Sequence, residues 1–161
     1  MKNLFSIQAL LTSESQTLVL GKEIAPVLQK GLVIYLLGDL GAGKTTLVRG
    51  ILNQLGESGS IKSPTYTLVE SYTTPSLTIH HFDLYRFQNP YEWDDLGLSD
   101  FFSNHALCLI EWPEKAEALL PPPDWKISLL WVPDGRTANI SAFSNLGESC
   151  LKKARISYLV G

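Results

Sequence analysis

Apolar and polar positions along the chain follow two periods. Between Thr12 and Gly31, Leu18, Gly21, Ile24, Ala25 and Leu28 recur on one helical face, and Ser13 and Gln16 have the spacing of a capping box ahead of them. Pro26 should kink or shorten this helix, and Gly31 can end it. Residues 32–37, LVIYLL, are an unbroken apolar run with β-branched and aromatic members, the pattern of a strand covered on both faces. A second helix follows a glycine-rich loop, with Leu47, Val48, Ile51 and Leu55 at helical spacing and Gly56 as its stop.

Beyond Gly56 the period shortens. TYTLVESYT (65–73) and LTIHHFDLY (77–85), separated by the turn residues TPS, predict an antiparallel hairpin. YEWDDLGLSDFF predicts one short helix ending near Phe102, and ALCLIE (106–111) a second buried strand. PEKAEALL predicts a short helix opened by Pro113. WKISLLWV and TANISAFS alternate around PDGR as a second hairpin, and ESCLKKARISYL closes the chain as an amphipathic helix. The order predicts a single α/β domain over residues 1–161, its sheet parallel near the loop and antiparallel towards the edges, with helices on both faces.

Composition narrows the class. The chain has 161 residues, 45% hydrophobic and 18% charged, enough apolar material for a core. Its net charge of −3 and the lack of a basic run argue against a direct grip on nucleic-acid phosphates, although a partner that binds nucleic acid stays open. No signal peptide or membrane-spanning stretch is readable, and Cys108 and Cys150 lack metal or redox spacing, so a cytoplasmic location is expected.

The chemistry starts at GDLGAGKT. Gly38, Asp39, Leu40, Gly41, Ala42, Gly43, Lys44 and Thr45 fit the phosphate-loop pattern position by position, and Thr46 follows in the helix. Glycines let the backbone approach an anion, and their amides, with the helix start behind them, can cradle phosphate oxygens. Lys44 adds charge on the outer phosphates, and the Thr45 hydroxyl can ligate Mg²⁺.

Hydrolysis needs more than this grip. Glu111, ending a buried strand, could serve a metal or be an ordinary strand-end acid. Asp83 could do the same or form a turn. Arg86 could neutralise phosphate or pair with Asp83, while Thr65 and Thr67 could reach the phosphates or cap a turn. His80, His81 and His105 lack metal-ligand spacing.

Together, GDLGAGKTTLVRG, IKSPTYTLVESY, HFDLYRF, DDLGLSDFF and LIEWPEK resemble, in order and separation, the TsaE (YjeE) family of bacterial P-loop ATPases. That resemblance covers most of the chain and implies a small mixed α/β fold with ATP and Mg²⁺ as ligands. It implies an accessory role in making threonylcarbamoyladenosine at adenosine 37 of tRNA, with the TsaB and TsaD proteins. TsaD transfers the group; tRNA is met only through the assembly. By position, Lys44 and the loop amides hold phosphates, Thr45 and Glu111 serve the metal, and Asp83 lies in the family's His-x-Asp-x-Tyr-Arg pattern. Ser63, Pro64, Thr65, Tyr66 and Thr67 correspond to a switch-like segment, and Trp112 should lie near the nucleotide. Ser13, Glu14 and Arg136 are weaker candidates for the adenine side. The acid that the family often carries before its Leu-Gly motif is left unassigned among Glu92, Asp94 and Asp95.

Other classes fit less well. A small-molecule kinase would need an arginine-rich lid, which 13 Lys and Arg in all do not supply. A GTPase would need an Asn-Lys-x-Asp segment, which is missing. A nucleotide-gated binding module, holding ATP without turning it over alone, remains the non-enzymatic alternative.

Overall fold

The computed structural model describes residues 1–61 and 63–161; Lys62, within the IKSPT motif, lies outside them. The strands are β1 (Phe5–Leu11), β2 (Val33–Leu37), β3 (Val69–Thr73), β4 (Thr78–Asp83), β5 (Ala106–Glu111), β6 (Trp125–Val132) and β7 (Gly135–Ala142). The helices are α1 (Glu14–Ile24), α2 (Lys44–Gln54), α3 (Pro90–Asp95) and α4 (Asn145–Lys153).

The strands form one sheet in the order β1-β7-β6-β2-β5-β4-β3. β6, β2, β5 and β4 are mutually parallel. β7 and β1 extend one side antiparallel, and β3 extends the other. The expected parallel centre with antiparallel flanks is therefore present.

Alternation along the central strands sorts the core into two layers. Ile34, Leu36, Leu107 and Leu109 face a cluster built with Leu20 and Ile24 of α1, Leu47 and Ile51 of α2, and Cys150 and Leu151 of α4. Tyr35, Phe82, Cys108 and Ile110 face the other way, against Trp93 of α3 and Leu98. Helices thus cover both faces. Trp125 is fully buried, and its indole N–H donates to the Gly147 carbonyl at 2.7 Å, which ties α4 to the sheet.

Local chemistry explains the boundaries. Ser13 caps α1 by accepting from the Gln16 amide, while the Gln16 side chain accepts from Thr12 N–H. α1 stops at Ile24, and Pro26 sits in a 3-10 turn over Ala25–Val27 because proline cannot donate to the preceding turn. α2 ends as expected at Gly56 (φ 106°), with Gly56 N–H on Asn53 O and Glu57 N–H on Leu52 O, a Schellman closure.

Four expectations need correction. β1 is a strand not anticipated from the sequence; Phe5, Ile7, Ala9 and Leu11 alternate inward and pair with β7. The single helix expected over 91–102 is two pieces, α3 and a 3-10 turn over Leu98–Phe101, separated at Gly97 in the left-handed region (φ 61°). The helix expected from Pro113 is one 3-10 turn, Pro113–Lys115. α4 ends at Lys153, and the tail beyond it bridges Leu159 to Ala9 of β1. Among the described residues no helix is long and apolar enough to cross a membrane.

Candidate functional site

β2 delivers the chain into the loop 38–43, and α2 begins at Lys44. Gly41 (φ 79°) and Gly43 (φ 109°) hold backbone angles that other residues resist. Gly43 caps α2 without a side chain, so no capping group competes for the helix's first amides. Those amides carry the positive end of the helix dipole and suit an anion.

Lys44 is 5% exposed. Its Nζ donates to the Gly38 carbonyl at 2.5 Å and sits 3.8 Å from the Trp112 ring centroid. Burial holds its pKa below the usual lysine value, and the Glu111 and Asp83 carboxylates partly offset this.

The two acids come from adjacent parallel strands. Asp83 of β4 stands in register with Glu111 of β5, and they are 4% and 2% exposed. Both lie on the strand face turned towards α2, in phase with Ile79 and Leu109. Glu111 Oε2 accepts from Thr45 Oγ1 at 3.4 Å and lies 2.6 Å from His81 Nε2. Asp83 Oδ2 accepts from Ser63 Oγ at 2.5 Å and Thr65 Oγ1 at 3.2 Å. Its Oδ1 accepts from Tyr85 N–H at 3.0 Å, so Asp83 both forms a turn and anchors the 63–67 segment. The segment runs into Leu68, whose φ is 68° and whose N–H donates to Pro64 O. Arg86 does not pair with Asp83. Its guanidinium lies 4.5 Å from the Tyr66 ring, and Nη2 donates to the Tyr66 hydroxyl at 3.2 Å.

These groups surround a cleft of about 610 Å³. Leu40, Gly41, Gly43, Lys44, Thr45 and Thr46 line it from the loop and α2. Ser63, Thr65, Tyr66 and Arg86 line the opposite side, with Asp83, Glu111 and Trp112 between. Glu14 also reaches it, its carboxylate accepting from Thr46 Oγ1 at 3.3 Å. Arg136 reaches it from β7, donating from Nη1 to the Ala42 carbonyl at 2.6 Å, with its guanidinium 4.4 Å from the Trp131 ring. Asp39 supports the loop by accepting the Ala42 amide.

Six sequence candidates do not line the cleft: Gly38, Asp39 and Ala42 of the loop, and Ser13, Pro64 and Thr67. Ser13 is occupied as the α1 cap, Thr67 bonds Glu70 at 3.1 Å, and Pro64 is a buried segment residue. None of Glu92, Asp94 and Asp95 lines it either; they ride on α3, which packs on the other face. Two members of the His-x-Asp-x-Tyr-Arg pattern that had been given no role also belong to the site: His81, bonded to Glu111, and Tyr85, whose ring is 5.0 Å from Trp112 in the cleft wall. Strict alternation through Ile79, His81 and Asp83 was the available signal for His81.

Among the described residues no three His, Cys, Asp or Glu side chains converge as a protein-only metal cage. Two carboxylates and one hydroxyl still suit Mg²⁺, which keeps several waters and takes substrate phosphates as ligands.

Residues 11–137 match the family described as threonylcarbamoyl adenosine biosynthesis protein TsaE. The tRNA threonylcarbamoyladenosine biosynthesis protein TsaE of Haemophilus influenzae is 42% identical over 151 residues, covering 91% of this chain and 96% of that protein. The protein of that name from Bacillus subtilis is 39% identical over 106 residues, 66% of each chain. The crystal structure of Bacillus subtilis YdiB superposes with a TM-score of 0.76 at 28% identity, over 92% of both chains. With the motifs, the sheet order and these matches in agreement, the chain belongs to the TsaE family.

Proposed function

We propose that residues 1–161 act as one domain that binds ATP in the 610 Å³ cleft and hydrolyses it to ADP and phosphate with Mg²⁺, in service of threonylcarbamoyladenosine formation in tRNA. The observation carrying this proposal is the convergence of Lys44 and Thr45, which open α2, with Asp83 and Glu111, which end β4 and β5. The loop amides and Lys44 would hold the phosphates, with Thr45, Glu111 and Asp83 on the metal side. Bound Mg²⁺ supplies charge neutralisation across the outer phosphates. Glu111, buried beside Thr45, would hold a water in one orientation. Asp83, through Ser63 and Thr65, couples the 63–67 segment to the same site. Trp112 and Tyr85 wall the cleft beside Lys44.

The chain would act in the cytoplasm beside TsaB and TsaD, meet tRNA only through that assembly, and leave the transfer itself to TsaD. A nucleotide-gated binding module is the second candidate, favoured by one contact: Asp83 Oδ2 is already engaged by two hydroxyls. ATP turnover by the purified chain, with and without the TsaB–TsaD pair and tRNA, separates the two. Slow turnover that rises with the partners supports the ATPase. Binding with no turnover under either condition supports the module, and rapid phosphorylation of a free small molecule overturns both.

A further inference from the structure

His81 and Glu111 form a buried pair whose chemistry goes beyond packing. The imidazole is 0% exposed, and Nε2 lies 2.6 Å from Glu111 Oε2. Its other nitrogen, Nδ1, is buried and has no hydrogen-bond partner among the described residues. A protonated Nδ1 would bury a donor with no acceptor, which is costly. That fixes the form of the ring: Nε2 carries the hydrogen and donates to the carboxylate, while Nδ1 is bare. Both hydrogen bonds recorded for the Glu111 carboxylate, from His81 and Thr45, fall on Oε2. The side chain is clamped at one oxygen while its residue lines the cleft.

We propose that His81 is a positioning residue for Glu111, locking its rotamer through an Nε2–H donor so that its second oxygen, Oε1, is presented to the nucleotide cleft. This rests on the assignment of Glu111 to the Mg²⁺–ATP site above. The clamp is well placed to be rigid. His81 stands on β4, which is paired in register to β5, and it projects from the face that also carries Asp83. Partners of this kind orient a metal-site carboxylate, and losing one costs about 10–100-fold in metal affinity or activity.

The geometry makes a variant series decisive, because the glutamine amide nitrogen reaches the place of Nε2 whereas that of asparagine falls near Nδ1. The full chain is assayed with TsaB, TsaD and tRNA as His81→Leu, His81→Gln and His81→Asn. Leu and Asn should lower kcat by about 10–100-fold with a smaller rise in KM for ATP, and Gln should restore most of both. A second readout needs no turnover: Mg²⁺ should tighten ADP binding less in His81→Leu than in wild type, while metal-free ADP binds both alike. A third needs no ligand. ¹⁵N NMR of the imidazole should show a protonated Nε2 and a bare Nδ1. The opposite tautomer, full activity in His81→Leu, or equal behaviour of Gln and Asn overturns the proposal. If wild type binds but never hydrolyses ATP, the ATPase proposal falls, and the Mg²⁺-dependence of ADP binding and the tautomer still decide the role of His81.

Discussion

Gly21 of α1 and Gly50 of α2 meet backbone to backbone: a Cβ built on Gly50 would lie 3.1 Å from the Gly21 Cα and collide with the Leu18 carbonyl oxygen. The reverse holds too, since a Cβ on Gly21 would collide with Leu47 O. α2 opens at the phosphate loop and α1 carries Glu14 to the cleft, so this close crossing goes with the contact of Glu14 with Thr46 at the helix starts. Gly50→Ala should destabilise the fold, because overpacking costs about 1–3 kcal/mol against at most about 1 kcal/mol gained in helix propensity. Urea denaturation measures the difference, and an unchanged midpoint would show that the helices part freely.

Lys44 and Glu111 should fail in different ways. Lys44→Ala removes a charged donor worth about 1.5–3 kcal/mol, so affinity for ATP should fall by about 10–100-fold. Glu111→Gln keeps the shape of the side chain and the loop contacts. Its turnover should drop by about 100-fold or more, with affinity for a non-hydrolysable ATP analogue falling much less, by about tenfold at most. Parallel losses of turnover and binding in Glu111→Gln would contradict this division.

Asp83 holds the 63–67 segment through Ser63 and Thr65. Asp83→Ala removes the acceptor for both hydroxyls and for the Tyr85 amide. Amide hydrogen exchange over residues 63–68 should quicken by about tenfold or more, as expected when a local closure loses about 1.5 kcal/mol or more. Protection in α2 should stay unchanged. Faster exchange spread evenly over the chain would instead signal global destabilisation.

Cys108 and Tyr35 give the protein a defined alkaline response. Burial pushes the Cys108 thiol from 9.0 up to about 12, and burial, with help from Glu117, pushes the Tyr35 hydroxyl from 10.0 up to about 12. Both native pKa values exceed the unfolded ones, so the native state keeps these protons longer. Their contribution is whole below about pH 9 and is lost as pH rises towards 12. Denaturation midpoints should fall between pH 9 and 11, and less so in Cys108→Val. Cys108 should also resist alkylation at pH 8 until denaturant is added.

The phosphate grip was legible because its parts are consecutive. Gly38 to Thr45, the run before it and the helical spacing after it all lie within one short stretch. Asp83 and Glu111 were legible as acids at strand ends, and β4 and β5 bring them side by side. His81 was not, because its partner is 30 residues away and the pair exists only once two parallel strands are in register. β1 escaped notice because its short inward set (Phe5, Ile7, Ala9 and Leu11) gains meaning only against β7, over 120 residues later. Gly97 interrupts a pattern that otherwise favours helix, and it takes the left-handed turn that separates the pieces.

Leu68 sits at the end of the 63–67 segment with φ at 68°, a conformation that costs a branched, non-glycine residue about 1–2 kcal/mol. Its neighbours hold it there: Leu68 N–H donates to Pro64 O, and Leu68 O accepts from Asp83 N–H. Neither bond uses the Asp83 carboxylate, so drawing that carboxylate away from Ser63 and Thr65 breaks two hydrogen bonds and leaves Leu68 held at its strained angle. Leu68 is thus the fixed end of the 63–67 segment, and Ser63 and Thr65 are the end that Asp83 can let go.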